Sequence, residues 1–309
     1  MGENFLTVGT QVLELFILIA VGFLCGKIKM LTDKTVKAIT DIVLYIVCPC
    51  VIIDNFIRAF DPAMLGQLLV TAAAALCIHI VSIVIAMLVF HDSKPERSRV
   101  YRFAVIFSNC GYMSLPMQQA ILGSDGVFFG AVYIVIFNIV MWTFGVWLSS
   151  GDKQSLSAKK ILLNPCLIGM AVGLIIFLTS LPVPDIIGKP IRFLANLNTP
   201  LPMMIIGYYL SQTKLLDAFR DVKSFLCVLF RLVVIPLLAF GGMMLCGVRG
   251  TVLITCVIAA SAPAAAATTM FAAKFDNDAR LSVNLVTLST LLSVITMPLI
   301  VGFANTVGG

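Results

Sequence analysis

The sequence predicts an all-helical, polytopic membrane protein of ten spans. Its 309 residues are 60% hydrophobic and only 12% charged, where soluble domains carry about 25% charged residues. The apolar residues fall into ten runs, each near the length of about 20 residues that a helix needs to cross a bilayer core. The connections are short and polar, as in HDSKPERSRV (91–100) and QTKLLDAFRDVK (212–223), and leave no room for a soluble domain.

In order, the runs are 7–26, 38–57, 64–90, 101–122, 126–149, 161–181, 190–211, 224–247, 251–273 and 281–304. The first is preceded by MGENF, which lacks the positive region of a signal peptide. Lys27 and Lys29 follow it, as suits an uncleaved helix that enters the membrane with its N-terminus outside. Lys and Arg then sort by side. The loops after runs 1, 3, 5, 7 and 9 hold sixteen of the 21: Lys27, Lys29, Lys34, Lys37, Lys94, Arg97, Arg99, Arg102, Lys153, Lys159, Lys160, Lys214, Arg220, Lys223, Lys274 and Arg280. Arg58, Lys189, Arg192 and Arg249 lie on the other side, and Arg231 falls within a span. Positive charge stays in the cytoplasm, so both termini are expected outside a bacterial cytoplasmic membrane. The net charge of +6 is dispersed over these loops and implies no nucleic-acid partner. The nine cysteines lie almost entirely in apolar stretches without a CxxC. They read as small apolar residues rather than a metal cluster or disulfide framework.

Ten helices invite division into halves of five, 5–149 and 161–304. Pro116 and Pro263 lie 147 residues apart, and the GxxxG pairs Gly22/Gly26 and Gly169/Gly173 share that offset. An odd number of helices per half inverts the second copy, which leads to folds whose broken helices build a site at the membrane midplane. Two runs carry the breaks. FSNCGYMSLPMQQAILG (107–123) places Asn109, Gly111 and Pro116 inside a hydrophobic span, and AASAPAAAATTMFAAKF (259–275) places Ser261 and Pro263 in another. Proline removes a backbone donor and clashes with the preceding turn, and irregular backbone at this depth is tolerated only inside protein or facing a water-filled cavity. The half-helix after each proline offers free amides and a positive dipole end to an anion. Asn109, Cys110, Gly111, Pro116, Ser261, Pro263 and Ala264 are therefore the candidate substrate-binding residues. Taken singly, each proline also fits an ordinary kink.

FSNCGYMSLPMQQAILG resembles the N-x-G-x-x-G-x-P segment in the fourth helix of the auxin efflux carrier family, with Ser114 where the family usually has Gly. SAPAAAATTMFAAKFDNDARLSVNLVTLSTLLSVITMPL resembles its ninth and tenth helices, TPLPMMIIGYYLS (199–211) its seventh and RLVVIPLL (231–238) its eighth. The resemblance covers essentially the whole chain. It implies ten transmembrane helices in two inverted five-helix repeats, with broken crossover helices 4 and 9, a bile-acid-symporter-like or auxin-carrier-like fold. Helices 1, 2, 6 and 7 would form a scaffold and helices 3–5 and 8–10 a transport domain. Bacterial members are similar to malate and malonate permeases. The implied function is a secondary active permease for a small organic anion, a mono- or dicarboxylate, working by an elevator-type mechanism.

Further polar residues lie within the spans. His79 suits either proton coupling or a neutral ring bonded to a carbonyl. Arg231, about 10 Å from the cytoplasmic end of its helix, either snorkels or meets the anion. Asn138, Asn284, Thr287, Ser289 and Thr290 suit satisfaction of broken backbone or a coupling cation, H+ or Na+ being open. Asp54 and Arg58, spaced i and i+4, are expected to pair. The glycine pairs suit scaffold packing or a homodimer through the scaffold helices. No cofactor or metal is expected. An intramembrane enzyme is disfavoured by the absence of HExxH, GxSxG and a carboxylate cluster, and ATP by the absence of a Walker-type loop. A transporter-like sensor or channel for a small ligand is the alternative.

Overall fold

The computed structural model describes residues 2–152, 163–212 and 221–309, among which every regular element is a helix. Lys153, Lys159, Lys160, Lys214 and Arg220 of the charge count lie outside the described residues. The helices are α1 (Gly2–Lys27), α2 (Asp33–Phe56), α3 (Pro62–Val89), α4 (Pro95–Ile106), α5 (Cys110–Ser150), α6 (Pro165–Thr179), α7 (Asp185–Ala195), α8 (Pro200–Gln212), α9 (Val222–Leu245), α10 (Gly250–Ser261), α11 (Ala267–Lys274) and α12 (Ala279–Gly308). Of these, α2, α3, α5, α9 and α12 are long and apolar enough to cross a membrane. Three of the apolar runs emerge divided. Run 101–122 becomes α4 and the start of α5, 190–211 becomes α7 and α8, and 251–273 becomes α10 and α11.

Short polar side chains start several of the helices. Asp61, Asn164, Asp221 and Asp278 each accept an amide of the following first turn, at 2.8, 2.9, 3.1 and 2.9 Å, which satisfies donors that a helix start leaves over. Within α5 the chain turns back at Gly123, whose φ of 66° and ψ of −153° suit only glycine. The resulting two arms match the sequence division between runs 101–122 and 126–149.

Three prolines inside helices share one pattern. The five-residue π turns Val43–Val47, Cys110–Ser114 and Phe230–Val234 each end two residues before a proline, Pro49, Pro116 and Pro236. A proline cannot return an amide to the carbonyl four residues back, and the wider turn absorbs the vacancy. Pro116 therefore widens its helix rather than breaking it, unlike the sequence expectation.

The glycine pairs pack inside the chain. A Cβ on Gly22 would fall 2.2 Å from the Met204 carbonyl oxygen and one on Gly207 2.0 Å from that of Ile19, so α1 and α8 touch backbone to backbone. Gly169 and Gly173 lie in the same way against Pro49 and Phe56 of α2, and beside them the Cys48 and Cys166 Sγ atoms are 2.9 Å apart. Close approach of this kind is what small residues permit where lipid removes the hydrophobic drive between helices. Outward-facing side chains of α3 (Leu69, Ile80, Val84 and Leu88) are apolar and exposed, the surface expected where lipid is the solvent.

Charged residues gather at two ends of the bundle. At one, Arg97 lies 3.3 Å from Asp221, 3.5 Å from Asp278 and 3.8 Å from Asp92, and Lys223 is 2.9 Å from Asp92. At the other, Arg58 pairs with Asp125 at 2.6 Å and Arg192 with Asp54 at 3.4 Å. The expected Asp54–Arg58 pair does not form. α2 ends at Phe56 and Ile57 leaves helical geometry at ψ 76°, so the i, i+4 relation is lost and Arg58 turns to the Gly123 bend.

Candidate functional site

Two helices stop in the interior and meet. The first, α4, ends at Ile106, and Phe107 takes an extended conformation (φ −100°, ψ 108°). Ser108 and Asn109 follow before Cys110 restarts the helix, and short polar side chains of this kind offer the backbone alternatives to helix. The second, α10, ends at Ser261, and Ala262 is extended (φ −62°, ψ 148°) because it precedes Pro263. Residues 107–109 and 263–265 then pair as antiparallel strands around the Ser108–Ala264 bridge. Asn109 donates its amide to the Pro263 carbonyl at 2.7 Å, and Ala265 donates to Phe107 at 2.9 Å. The Ala264 amide donates to Ser289 Oγ of α12 at 3.1 Å. Backbone freed by both breaks is thus largely satisfied at the crossing, as burial demands.

This geometry rearranges the sequence-derived site. The breaks are centred on Ser108 and Ala264, 156 residues apart, rather than on the prolines separated by 147. Pro263 sits in its break, whereas Pro116 lies beyond the first turn of the following helix, where the preceding π turn absorbs the missing amide. The glycine pairs, which share the 147-residue offset, lie on α1 against α8 and on α6 against α2. Cys110, Pro116, Ser261, Pro263 and Ala264 are buried, and the Ser261 hydroxyl donates to Ile258 of its own helix at 3.0 Å. Asn109 is 5% exposed. Gly111, Tyr112, Ala266 and Ala267 are half-buried, and nothing lies within 4 Å of a Cβ built on Gly111. The accessible part of the crossing is therefore the pair of helix starts at Gly111 and Ala267, whose dipoles present positive ends; the Met113, Thr268 and Thr269 amides there already donate to the Asn109, Ala265 and Ala266 carbonyls.

Arg231 occupies the opposite ends. Its π turn directs it inward, 2% exposed. Its Nη1 donates to the Val105 and Ile106 carbonyls at 2.7 and 3.3 Å, and Nη2 donates to the Ala260 carbonyl. One guanidinium thus holds the C-termini of both broken helices, while its Nε has no hydrogen-bond partner. The sequence pointed to snorkelling or substrate contact, and the buried guanidinium does not snorkel. His79 bonds through Nδ1 to the Ala75 carbonyl at 2.7 Å and packs 6.3 Å, centroid to centroid, from Phe107 of the first break. Asn138 lies away from the crossing. Its amide donates to Ile134 and its oxygen accepts from Asn164 at 3.3 Å, joining α5 to the start of α6. Asn284 lies half-buried in the first turns of α12.

Sequence reasoning missed Ser108 and Gln118. The Gln118 side chain, one turn beyond Ser114, donates to the Thr255 carbonyl at 3.0 Å and ties α5 to α10. A polar residue i+4 from Ser114 on a buried face was the available signal.

The description that matches the sequence as a family model is "Membrane transport protein", over residues 7–301. An uncharacterized transporter of Methanothermobacter thermautotrophicus is 25% identical over 292 residues, covering 93% of this chain and 95% of that protein. An uncharacterized transporter of Methanocaldococcus jannaschii is 23% identical over 297 residues, covering 93% and 96%. With a matched family spanning nearly the whole length and two broken helices meeting inside an apolar bundle, the chain belongs to the membrane transport protein family, that of the auxin efflux carriers.

Proposed function

We propose that the protein is a secondary transporter for a small organic anion, a mono- or dicarboxylate, and that the crossing is its binding site. The observation that carries this reading is the pairing of residues 107–109 with 263–265, which sets two helix starts side by side where backbone is half-exposed. Asn109 and Gly111 on one helix and Ala266 and Ala267 on the other would hold the carboxylate without a buried charged side chain facing it.

The division of contacts supports an elevator. Helices α1 with α8 and α2 with α6 pack through glycine, and the α2–α7 pair Asp54–Arg192 completes that group. Arg231 joins α9 to α4 and α10, and Arg97 joins α4 to the starts of α9 and α12. In our reading the first group is the scaffold and the second, with α3 and α5, the transport domain. The contact of α1 with α8 becomes that of α6 with α2 when the halves are exchanged, which favours two inverted repeats and ten passes. Charge sorting supports an Arg97 end in the cytoplasm with both termini outside. A homodimer would use outer faces of the scaffold helices, because the glycine faces are filled within the chain.

The test is thermal stabilisation of the purified protein by a panel of mono- and dicarboxylates, with and without sodium and across pH. Stabilisation by a carboxylate is expected, and its dependence on sodium or pH identifies the coupling ion. A silent panel rejects the anion assignment.

A further inference from the structure

Arg231 carries a full charge in the interior, 2% exposed, and among the described residues no carboxylate lies within ion-pair distance of it. Its partners are the carbonyls of Val105, Ile106 and Ala260, the last residues of the two helices that stop at the crossing. A helix C-terminus carries about half a negative charge. Two such ends, left bare beside the site, would present about one negative charge to an approaching anion and repel it.

We infer that Arg231 is a positioning and specificity-determining residue: it cancels the negative ends of α4 and α10, so that the positive ends of α5 and α11 alone face the cargo. The arithmetic closes, since one guanidinium offsets two half-charges of about −0.5 each. The geometry is suited to it, because Ile106 is only three residues from Asn109 and so lies at most about 10 Å from it. At that separation and an effective dielectric of about 20, loss of one charge corresponds to a change on the order of tenfold in anion affinity. The inference rests on the anion-transport reading, and it assigns the sign of the cargo to a residue that does not touch it. Its role is distinct from tying the helices together, because a neutral side chain would serve for that.

The experiment uses the full chain, purified, with arginine replaced as Arg231→Gln and Arg231→Lys and each variant checked for monodispersity. Binding of acetate, malonate and malate is measured beside that of acetamide, malonamide and malamide, their uncharged amides. Arg231→Lys is expected to bind carboxylates within about threefold of wild type, and Arg231→Gln about tenfold more weakly, with the response to amides unchanged. Full carboxylate affinity in Arg231→Gln overturns the inference, as does parallel loss of carboxylates and amides, which is the signature of a purely structural clamp. Should Arg231→Gln not fold, the lysine variant decides alone. Its carboxylate affinity is expected to fall more steeply than that of wild type between about pH 7 and pH 9 as the buried ammonium deprotonates, and a lysine variant whose curve parallels wild type overturns the inference. If wild type binds no carboxylate, the transport reading itself fails and takes this one with it.

Discussion

Gly111 is the residue at which folding and proposed binding separate most cleanly. A Cβ there meets nothing within 4 Å, so a larger side chain enters open space rather than protein. Gly111→Val is therefore expected to keep the melting temperature within a few degrees of wild type while abolishing the proposed carboxylate stabilisation and transport. A variant that transports normally would remove the crossing from the cargo's path. Asn109 and Gly111 were legible in the sequence because polar and glycine residues inside an apolar run stand out in one dimension. What Arg231 does was not, since only folding brings residue 231 against 105 and 260. Pro116 was misleading for a local reason. Proline disrupts a helix only where the turn before it cannot widen, and Cys110–Ser114 widens.

At the scale of the element, the second break depends on a neighbour outside it. The Ala264 amide reaches Ser289 Oγ of α12 at 3.1 Å, which hands a buried donor an acceptor that the helix cannot supply. Ser289→Ala leaves that amide without a partner, and about 1–3 kcal/mol of stability is expected to go with it. Denaturant or thermal unfolding of the purified variant measures the loss, and an unchanged midpoint would mean that the crossing rearranges at no cost. The existence of α10 and α11 as separate pieces was readable from SAPAAAA, because Ala262 before Pro263 is pushed out of helical geometry. The first break has no proline at its centre, and Ser108–Asn109 alone is a weak signal. Its location became definite only through pairing with the second.

For the whole molecule, the ends of α3, α4, α9 and α12 are gathered around Asp92, Arg97, Asp221 and Lys223. The hydrogen bond from Lys223, with the Lys94 amide and Arg97 nearby, draws the Asp92 carboxyl down from its usual 3.8 to about 2. A carboxyl whose pKa is depressed by folding contributes stability that is present above its unfolded pKa and is lost as pH falls through the folded one. Melting temperature is therefore expected to drop between about pH 4 and pH 2 more steeply in wild type than in Asp92→Asn, and parallel curves would dismiss the group. The broad architecture was legible at this scale, since composition and run length decide where a chain meets lipid. The ion-pair partners were not, because Arg58 and Asp125, or Arg97 and Asp278, are distant in sequence and meet only once the bundle closes.

The seam between residues 107–109 and 263–265 has a consequence for motion. Antiparallel pairing repeats every two residues, and a strand advances about 3.4 Å per residue, so the seam has no register between its present one and a displacement of about 7 Å. Two amides lost together in an apolar interior make that step steep. In the proposed transport cycle the junction of the broken helices is therefore expected to travel as one part, like an axle rather than a sliding joint.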